Sequence, residues 1–381
     1  MNKLIKVFAV SVAIQILVIA GLYFSDPVFW YRYFNVRPMA SYQNNPFPTI
    51  ERMFPQEVVR GTDTPLIIPI AAKEERTIPD TILDRAVKTA INFDSTSLIY
   101  IHNGVIQSEN YWPDSVREGP VYAFSMSKTV VALLTGIAID QKLIDSVDDP
   151  IGKYIEEWKD DERGQKITLR HLLTMSSGFE PTPYFSNNPF WKGQKRQIGT
   201  NLTRAALSYD LRDEPGTKWE YNGTNTFLLG LIISRTSGMR YTAYLSKHLW
   251  QPVGNNTAHM WMDREGGVPR TFVGIYAAPM DWARLGLMML NGGKVGETQI
   301  VPANWIDEMI RPANTAAYYG FQIWLAVPNQ EDKPPGNYYL FNGFGGQTVF
   351  INPSSKTIVV RTGPLARNSD EFLNSLPGLL P

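Results

Sequence analysis

The chain has 381 residues, 44% of them hydrophobic, enough to bury a sizeable core in one large domain or two modest ones, and too apolar for disorder. Its 36 basic and 36 acidic residues cancel, so no global field draws nucleic acid or another polyanion, and a small or neutral substrate is expected. Cysteine is absent, which excludes disulfides, thiolate zinc sites and cysteine nucleophiles. The four histidines, His102, His171, His248 and His259, show no ligand spacing, so neither a metal nor a cofactor is expected.

At the N-terminus, Lys3 and Lys6 precede Val7 to Ser25, an uncharged run just long enough to cross a bilayer as a helix. The aromatic cluster FWYRYF, Phe29 to Phe34, follows as an interfacial belt would. This predicts residues 1–25 as a single anchor in a bacterial inner membrane, with the rest of the chain in the periplasm or outside the cell. The alternative is a cleaved signal segment, with Val18 and Ala20 as its small-residue site and a secreted product.

Residues 26–80 are proline-rich without a sustained period and read as a tether that wraps a domain. The globular domain is expected over 81–381. It opens with helical spacing in LDRAVKTAINF and then two β-type runs around His102-Asn103-Gly104, a hairpin signal with Asn-Gly at its tip. From Ser125 to about Asn291 the segments are mainly helical, several ending in glycine, which predicts a helical insertion over about 130–290. Beyond Tyr318 the texture returns to strands. The fold class expected is α+β: an antiparallel sheet formed by N- and C-terminal strands, flanked by helices, with a cleft where the sheet meets a mainly helical inserted domain.

Three features carry chemistry. In YAFSMSKTVVALLTGIAIDQKL, Ser125 and Lys128 stand one helical turn apart on the same face, where an amphipathic helix begins. Helix-start N–H groups favour an alkoxide at Ser125 and lower the Lys128 pKa, making a usable base. The plainer reading makes Ser125 an N-cap and Lys128 a solvated first-turn residue, although a cation there opposes the helix dipole. Next, Tyr221 follows a Pro-Gly turn and precedes a buried helix in PGTKWEYNGTNTFLLGLIISRTSG, so its hydroxyl can enter a cleft. Its plainer reading is a packed tyrosine with a capped hydroxyl. Finally, Gly343, Gly345 and Gly346 beside strand residues suggest close backbone approach, with a backbone N–H that can complete an oxyanion hole. A simple glycine bulge is the alternative.

Together, SxxK on a helix, a tyrosine about a hundred residues later and a glycine-rich strand near the C-terminus resemble the serine β-lactamase and penicillin-recognising enzyme superfamily. The likeness is to its class C-like branch, with its D-alanyl-D-alanine carboxypeptidases, family VIII carboxylesterases and 6-aminohexanoate-dimer hydrolases, and covers roughly residues 80 to 365. LIDSVDDPIGKYIEEW, ITLRHLLTMSSGF, APMDWARLGLMMLNGGKV and YGFQIWL look like its connecting segments, and His171, in the second of these, reads as structural. The resemblance implies a β-lactamase/transpeptidase-like fold and an acyl-accepting Ser125. Lys128 and Tyr221 would share the proton traffic, with the phenol acidified by Lys128, and the N–H groups of Ser125 and Phe344 would face the oxyanion.

Two departures narrow the substrate. Tyr221 is followed by Asn222 and Gly223 where the family often has Ser-Asn, and Phe341-Asn342-Gly343 stands where a cation often precedes Thr-Gly. Both departures recur in dimer-hydrolase and esterase-like members, whose patterns are similar to Asn225-Thr226 and Gly343…Gly346-Gln347. By that likeness Tyr184, Asn225, Gly343, Gly345 and Gln347 are candidate substrate contacts. The function implied is a serine hydrolase acting on a small-molecule amide or ester, without a nucleic-acid partner. Alternatives are a catalytically silent, membrane-tethered binding protein of the same fold, or a D-alanyl peptidase or β-lactamase acting on cell-wall type substrates.

Overall fold

Asn103 and Gly104 turn the chain as their sequence predicts, with φ of 53° and 78°, the left-handed pair that a two-residue type I′ hairpin needs. The computed structural model describes residues 3–36, 53–112, 117, 119–181, 192–325, 337–363 and 369–381. Its strands are β1 (Gln56–Val59), β2 (Ser97–His102), β3 (Val105–Tyr111), β4 (Val121–Tyr122), β5 (Ala258–Trp261) and β6 (Ile275–Ala277), followed by β7 (Lys294–Val295), β8 (Thr298–Gln299), β9 (Tyr339–Gly343), β10 (Gln347–Asn352) and β11 (Thr357–Thr362).

The main sheet runs β3-β2-β11-β10-β9, antiparallel throughout. Its centre joins the two ends of the domain, Ser97 opposite Thr362 and His102 opposite Thr357. The chain is thus α+β, with an antiparallel sheet closed by N- and C-terminal strands.

Alternation of side chains along these strands makes two cores, because successive residues point to opposite faces. Leu98, Tyr100, Leu340, Phe350 and Val359 meet Leu83, Ala86 and Ala90 of the helix Asp80–Asn92 and Phe372, Leu373 and Leu376 from the C-terminus. Ile99, Ile101, Val349, Ile351, Ile358 and Val360 face the other way, onto the helices Met126–Asp140 and Pro279–Leu290. Covered on both faces, β10 and β11 are buried along their whole length.

The helix Met126–Asp140 is buried all round from Met126 to Ala138, so it is a central core helix rather than the amphipathic one expected. Its Gly136 lets Trp305 approach: a Cβ there would stand 2.2 Å from Trp305 Cδ1, whose indole N–H donates to the Ala132 carbonyl at 3.0 Å. Gly136→Ala should therefore cost about 1–3 kcal/mol through overpacking, read as a lower urea midpoint at unchanged slope.

A second sheet, β1-β5-β6-β4, takes β5 and β6 from the region the sequence presents as mainly helical. β1 comes from the proline-rich stretch, with Gln56 opposite Trp261 and Val59 opposite Ala258. β4, two residues before Phe124, pairs with β6 and fixes the chain as it enters the Ser125 turn.

The N-terminal expectation is corrected. Lys3–Ser25 is helical, but among the described residues no helix is long and apolar enough to cross a membrane. The aromatic cluster that reads as an interfacial belt packs on protein instead: Phe29 and Tyr33 are buried with Met53, Phe54, Tyr122, Ile198 and Trp261. Arg32 within it donates to the carbonyls of Met53, Ile198, Gly199 and Asp263. The anchor, the membrane as a partner, and the inner-membrane and periplasmic placement that rested on them are therefore withdrawn.

Candidate active site

Phe124 holds φ at 47°, a left-handed conformation that is rare and strained for a bulky residue. The next residue, Ser125, occupies the N-cap position of the helix Met126–Asp140, yet its side chain makes no cap hydrogen bond. Its hydroxyl turns instead to Lys128, whose Nζ lies 2.9 Å from Ser125 Oγ and donates to the Phe272 carbonyl at 2.8 Å. Ser125 remains half-buried, open to a ligand, while Lys128 is 1% exposed. Burial, and then the charge of Arg196, push the Lys128 pKa well below the ordinary lysine value, as expected when a cation must leave water and meets a like charge.

Tyr221 completes the cluster. Its hydroxyl hydrogen-bonds to Ser125 and to the Trp324 side chain, and its ring lies 5.0 Å from Lys128 Nζ. Burial pushes its pKa up to about 12, outweighing the lowering by Ser125, Arg196 and Trp324. An acidified phenol was the expectation; the structure gives a phenol that keeps its proton at neutral pH. The reason is burial, which disfavours the charged phenolate more than Ser125, Arg196 and Trp324 together favour it. Trp219, Tyr319 and Trp324 pack around the Tyr221 ring at 6.1, 6.2 and 5.5 Å, which fixes the direction of the hydroxyl.

The elements bearing these groups are tied together through buried Gln322. It donates to the Leu172 and Leu173 carbonyls, accepts from Thr226 Oγ1 at 2.7 Å, and its carbonyl accepts from Thr129 Oγ1 at 2.8 Å. One residue thus links the helix of Lys128 to the helix Gly223–Ser237 that follows Tyr221.

The glycine-rich turn faces Ser125 from the other side. A Cβ on Gly343 would lie 2.3 Å from the Ala123 carbonyl, so the end of β9 touches the backbone two residues before Ser125. Gly345 and Gly346 have φ of 78° and 80°, where side chains are disfavoured. Buried Arg361 secures this turn by donating to the Gly345 carbonyl at 2.6 Å, and also to Ser95 Oγ and the Phe93 carbonyl. Phe344 is 47% exposed and its ring meets Phe124 edge-on at 5.8 Å, an aromatic rim beside Ser125. Replacing Gly345 by alanine should strain this left-handed turn and lower stability by about 1–3 kcal/mol, read as a lower melting temperature.

The sheet and central helix that carry these residues have counterparts. The sequence profile of the family described as Beta-lactamase matches residues 83–363. The chain belongs to the beta-lactamase family. It is 25% identical over 259 residues to the 6-aminohexanoate-dimer hydrolase of Paenarthrobacter ureafaciens, covering 62% of this chain and 64% of that one. This family member therefore spans less than two thirds of that relative. A candidate 6-aminohexanoate-dimer hydrolase from Bacillus anthracis superposes with a TM-score of 0.70 at 19% identity, covering 86% of this chain and 90% of that one. A hydrolase with promiscuous acyltransferase activity superposes at 0.63 and 17%, covering 79% and 98%. At such identities these two structures establish the fold alone.

Ser125, Lys128 and Tyr221 meet one another, and the Gly343–Gly345 turn is brought beside them through Gly343 against Ala123 and Phe344 against Phe124. Asn225 and Gln347 are buried away from solvent. Asn225 is fully buried, its Nδ2 3.4 Å from Met175 Sδ and its Oδ1 without a hydrogen-bond partner. Gln347 is locked to Gly363, accepting from its N–H at 3.0 Å and donating to its carbonyl. Tyr184 lies outside the described residues. His171 closes a capping box with Thr168, a structural duty. Sequence reasoning missed Arg196, Phe272 and Arg361, which stand in no motif, and gave no role to Gln322 and Trp324 within the family-like YGFQIWL segment; only the fold brings them around the site. Among the described residues no group of three or more acidic, histidine or cysteine side chains is placed to hold a metal.

Proposed function

We propose that the protein is a serine hydrolase that cleaves an ester or amide bond of a small molecule through an acyl-enzyme on Ser125. The observation that carries this reading is a serine hydroxyl that caps nothing and is held by both a buried lysine at 2.9 Å and a tyrosine hydroxyl. A silent scaffold has no use for an amine kept from its charged state.

In the proposed cycle, Ser125 Oγ attacks the substrate carbonyl carbon while its proton passes to uncharged Lys128 Nζ. The developing oxyanion is met by the N–H groups of Ser125 and Phe344. As the bond to the leaving alcohol or amine breaks, Tyr221 gives that group its phenolic proton and is refilled from Lys128. Water then attacks the acyl carbon, its proton goes to Lys128, and Ser125 leaves with the proton restored.

A substrate panel tests the reading: p-nitrophenyl esters, 6-aminohexanoate oligomers, D-alanyl peptides and nitrocefin, each with Ser125→Ala as blank. The structure buries Phe341 completely in the core, so that position offers no cation to a β-lactam carboxylate. Short-acyl esters or uncharged amides should be turned over at least tenfold faster than nitrocefin, and Ser125→Ala should turn over none. Equal rates on nitrocefin would favour the β-lactamase alternative, and no Ser125-dependent turnover of any member would favour the silent binding protein.

A further inference from the structure

Arg196, on the helix Lys192–Ile198, is 1% exposed. Its Nη1 donates to Asn222 Oδ1 at 3.2 Å, and its Nε has no hydrogen-bond partner among the described residues. Among the described residues no carboxylate pairs with it. Burying a guanidinium without a counter-ion is costly, and such a cost beside a reaction centre asks for a function.

Its position supplies one. The guanidinium carbon lies 5.4 Å from the centre of the Phe272 ring, the ring that Lys128 Nζ approaches to 5.8 Å. Asn222, which Arg196 holds, follows Tyr221 and caps the next helix through Thr224 N at 2.9 Å. A Cβ on Gly223 would come within 2.6 Å of Arg196 Nη1, so glycine there admits the guanidinium to the turn bearing Tyr221. Arg196 thus shares the Phe272 ring with Lys128 and abuts the turn that follows Tyr221.

We propose that Arg196 is a positioning residue for the reaction, a buried cation that governs the proton traffic of Lys128 from beside the Phe272 ring the two side chains share. The inference rests on the serine-hydrolase reading above. The groups facing Lys128 are Ser125 from its own helix, the Phe272 carbonyl from the segment before β6, the Tyr221 phenol, and Arg196 from Lys192–Ile198. Arg270 adds a second guanidinium on the Phe272 ring at 5.3 Å. No described carboxylate acts on Lys128, so nothing offsets Arg196. So placed, the guanidinium repels a charged Lys128 throughout the cycle. When Lys128 takes the Ser125 proton, the same repulsion speeds its hand-over toward the leaving group.

The test is the pH dependence of kcat/KM for an uncharged p-nitrophenyl ester with the full chain. The parent should show an acid limb as Lys128 loses its proton. Arg196→Gln should move that limb up by about one pH unit, a loss of roughly tenfold below the midpoint, with a smaller loss on the alkaline side. Arg196→Lys, which restores a cation, should return the limb toward the parent. Asn222→Asp, which sets a carboxylate against an intact Arg196, should move it in the same direction as Arg196→Gln and decides the matter if that variant does not fold. An unmoved limb in the folded variants, or a uniform drop at all pH values, overturns the role. A rise confined to KM for esters ending in a carboxylate would instead make Arg196 a substrate anion site and overturns it too. Loss of Ser125-dependent turnover in the parent would refute the underlying reading; an unmoved limb with that turnover intact refutes Arg196 alone.

Discussion

Lys128→Met should lower kcat/KM for an ester by roughly 10³- to 10⁴-fold, the range seen when a general base acting as part of a unit is deleted. The amine is the one group within hydrogen-bond reach of Ser125 Oγ that burial drives toward accepting a proton. Methionine matches its length and burial, so the folded state should survive with the Phe272 carbonyl short of one donor, at a cost of about 1–3 kcal/mol. The sign of the pH effect follows from the direction of the shift. A depressed lysine pKa leaves the amine charged and inactive at low pH and free to accept at higher pH, so parental activity rises with pH. Lys128→Met should flatten that rise. Steady-state kinetics on the parent and variant, with circular dichroism to confirm folding, check both statements.

Tyr221→Phe is the second large effect, expected at about 10²- to 10⁴-fold in kcat, because it removes a proton donor placed on the reacting oxygen. With a pKa pushed up to about 12, the phenol acts as an acid through the neutral range, so the variant should scale the rate without erasing the acid limb. That outcome differs from the sequence-level expectation of an acidified phenol, which has the limb vanish with the hydroxyl. The loss should be larger for an amide, whose leaving nitrogen needs a proton, than for a p-nitrophenyl ester, whose leaving group does not. Lys128→Met combined with Tyr221→Phe should be little worse than either alone, since residues acting as a unit are not additive.

Periodicity and turn chemistry were enough to read much of this fold. The Asn103-Gly104 hairpin and the strands of the C-terminal third are local signals, and pairing β2 with β11 follows once strands at both ends must share one sheet. The second sheet was illegible because β1, β4, β5 and β6 are short and draw their register from distant partners. The fully buried helix Met126–Asp140 shows a limit of pattern reasoning: a helix covered on every side loses the polar stripe that announces orientation. At the site, Ser125, Lys128 and Tyr221 stood out because small motifs carried them. Arg196 did not, since an arginine in GQKRQ has the texture of a solvated surface turn, and only tertiary packing reveals that it is buried against Phe272. Glycine likewise signalled close approach at Gly343, where it touches Ala123, but said nothing of the Arg361 clamp that holds the turn. The aromatic cluster after the N-terminal apolar run misled because a core-packing stripe and a membrane belt share one composition.

The central claim is that Ser125 is the nucleophile, and intact-mass and peptide analysis after treatment with a fluorophosphonate tests it most directly. One adduct per chain, on the peptide containing Ser125 and absent from Ser125→Ala and strongly slowed in Lys128→Met, is the result this account predicts. An adduct on another serine, or labelling that persists in Ser125→Ala, would contradict it.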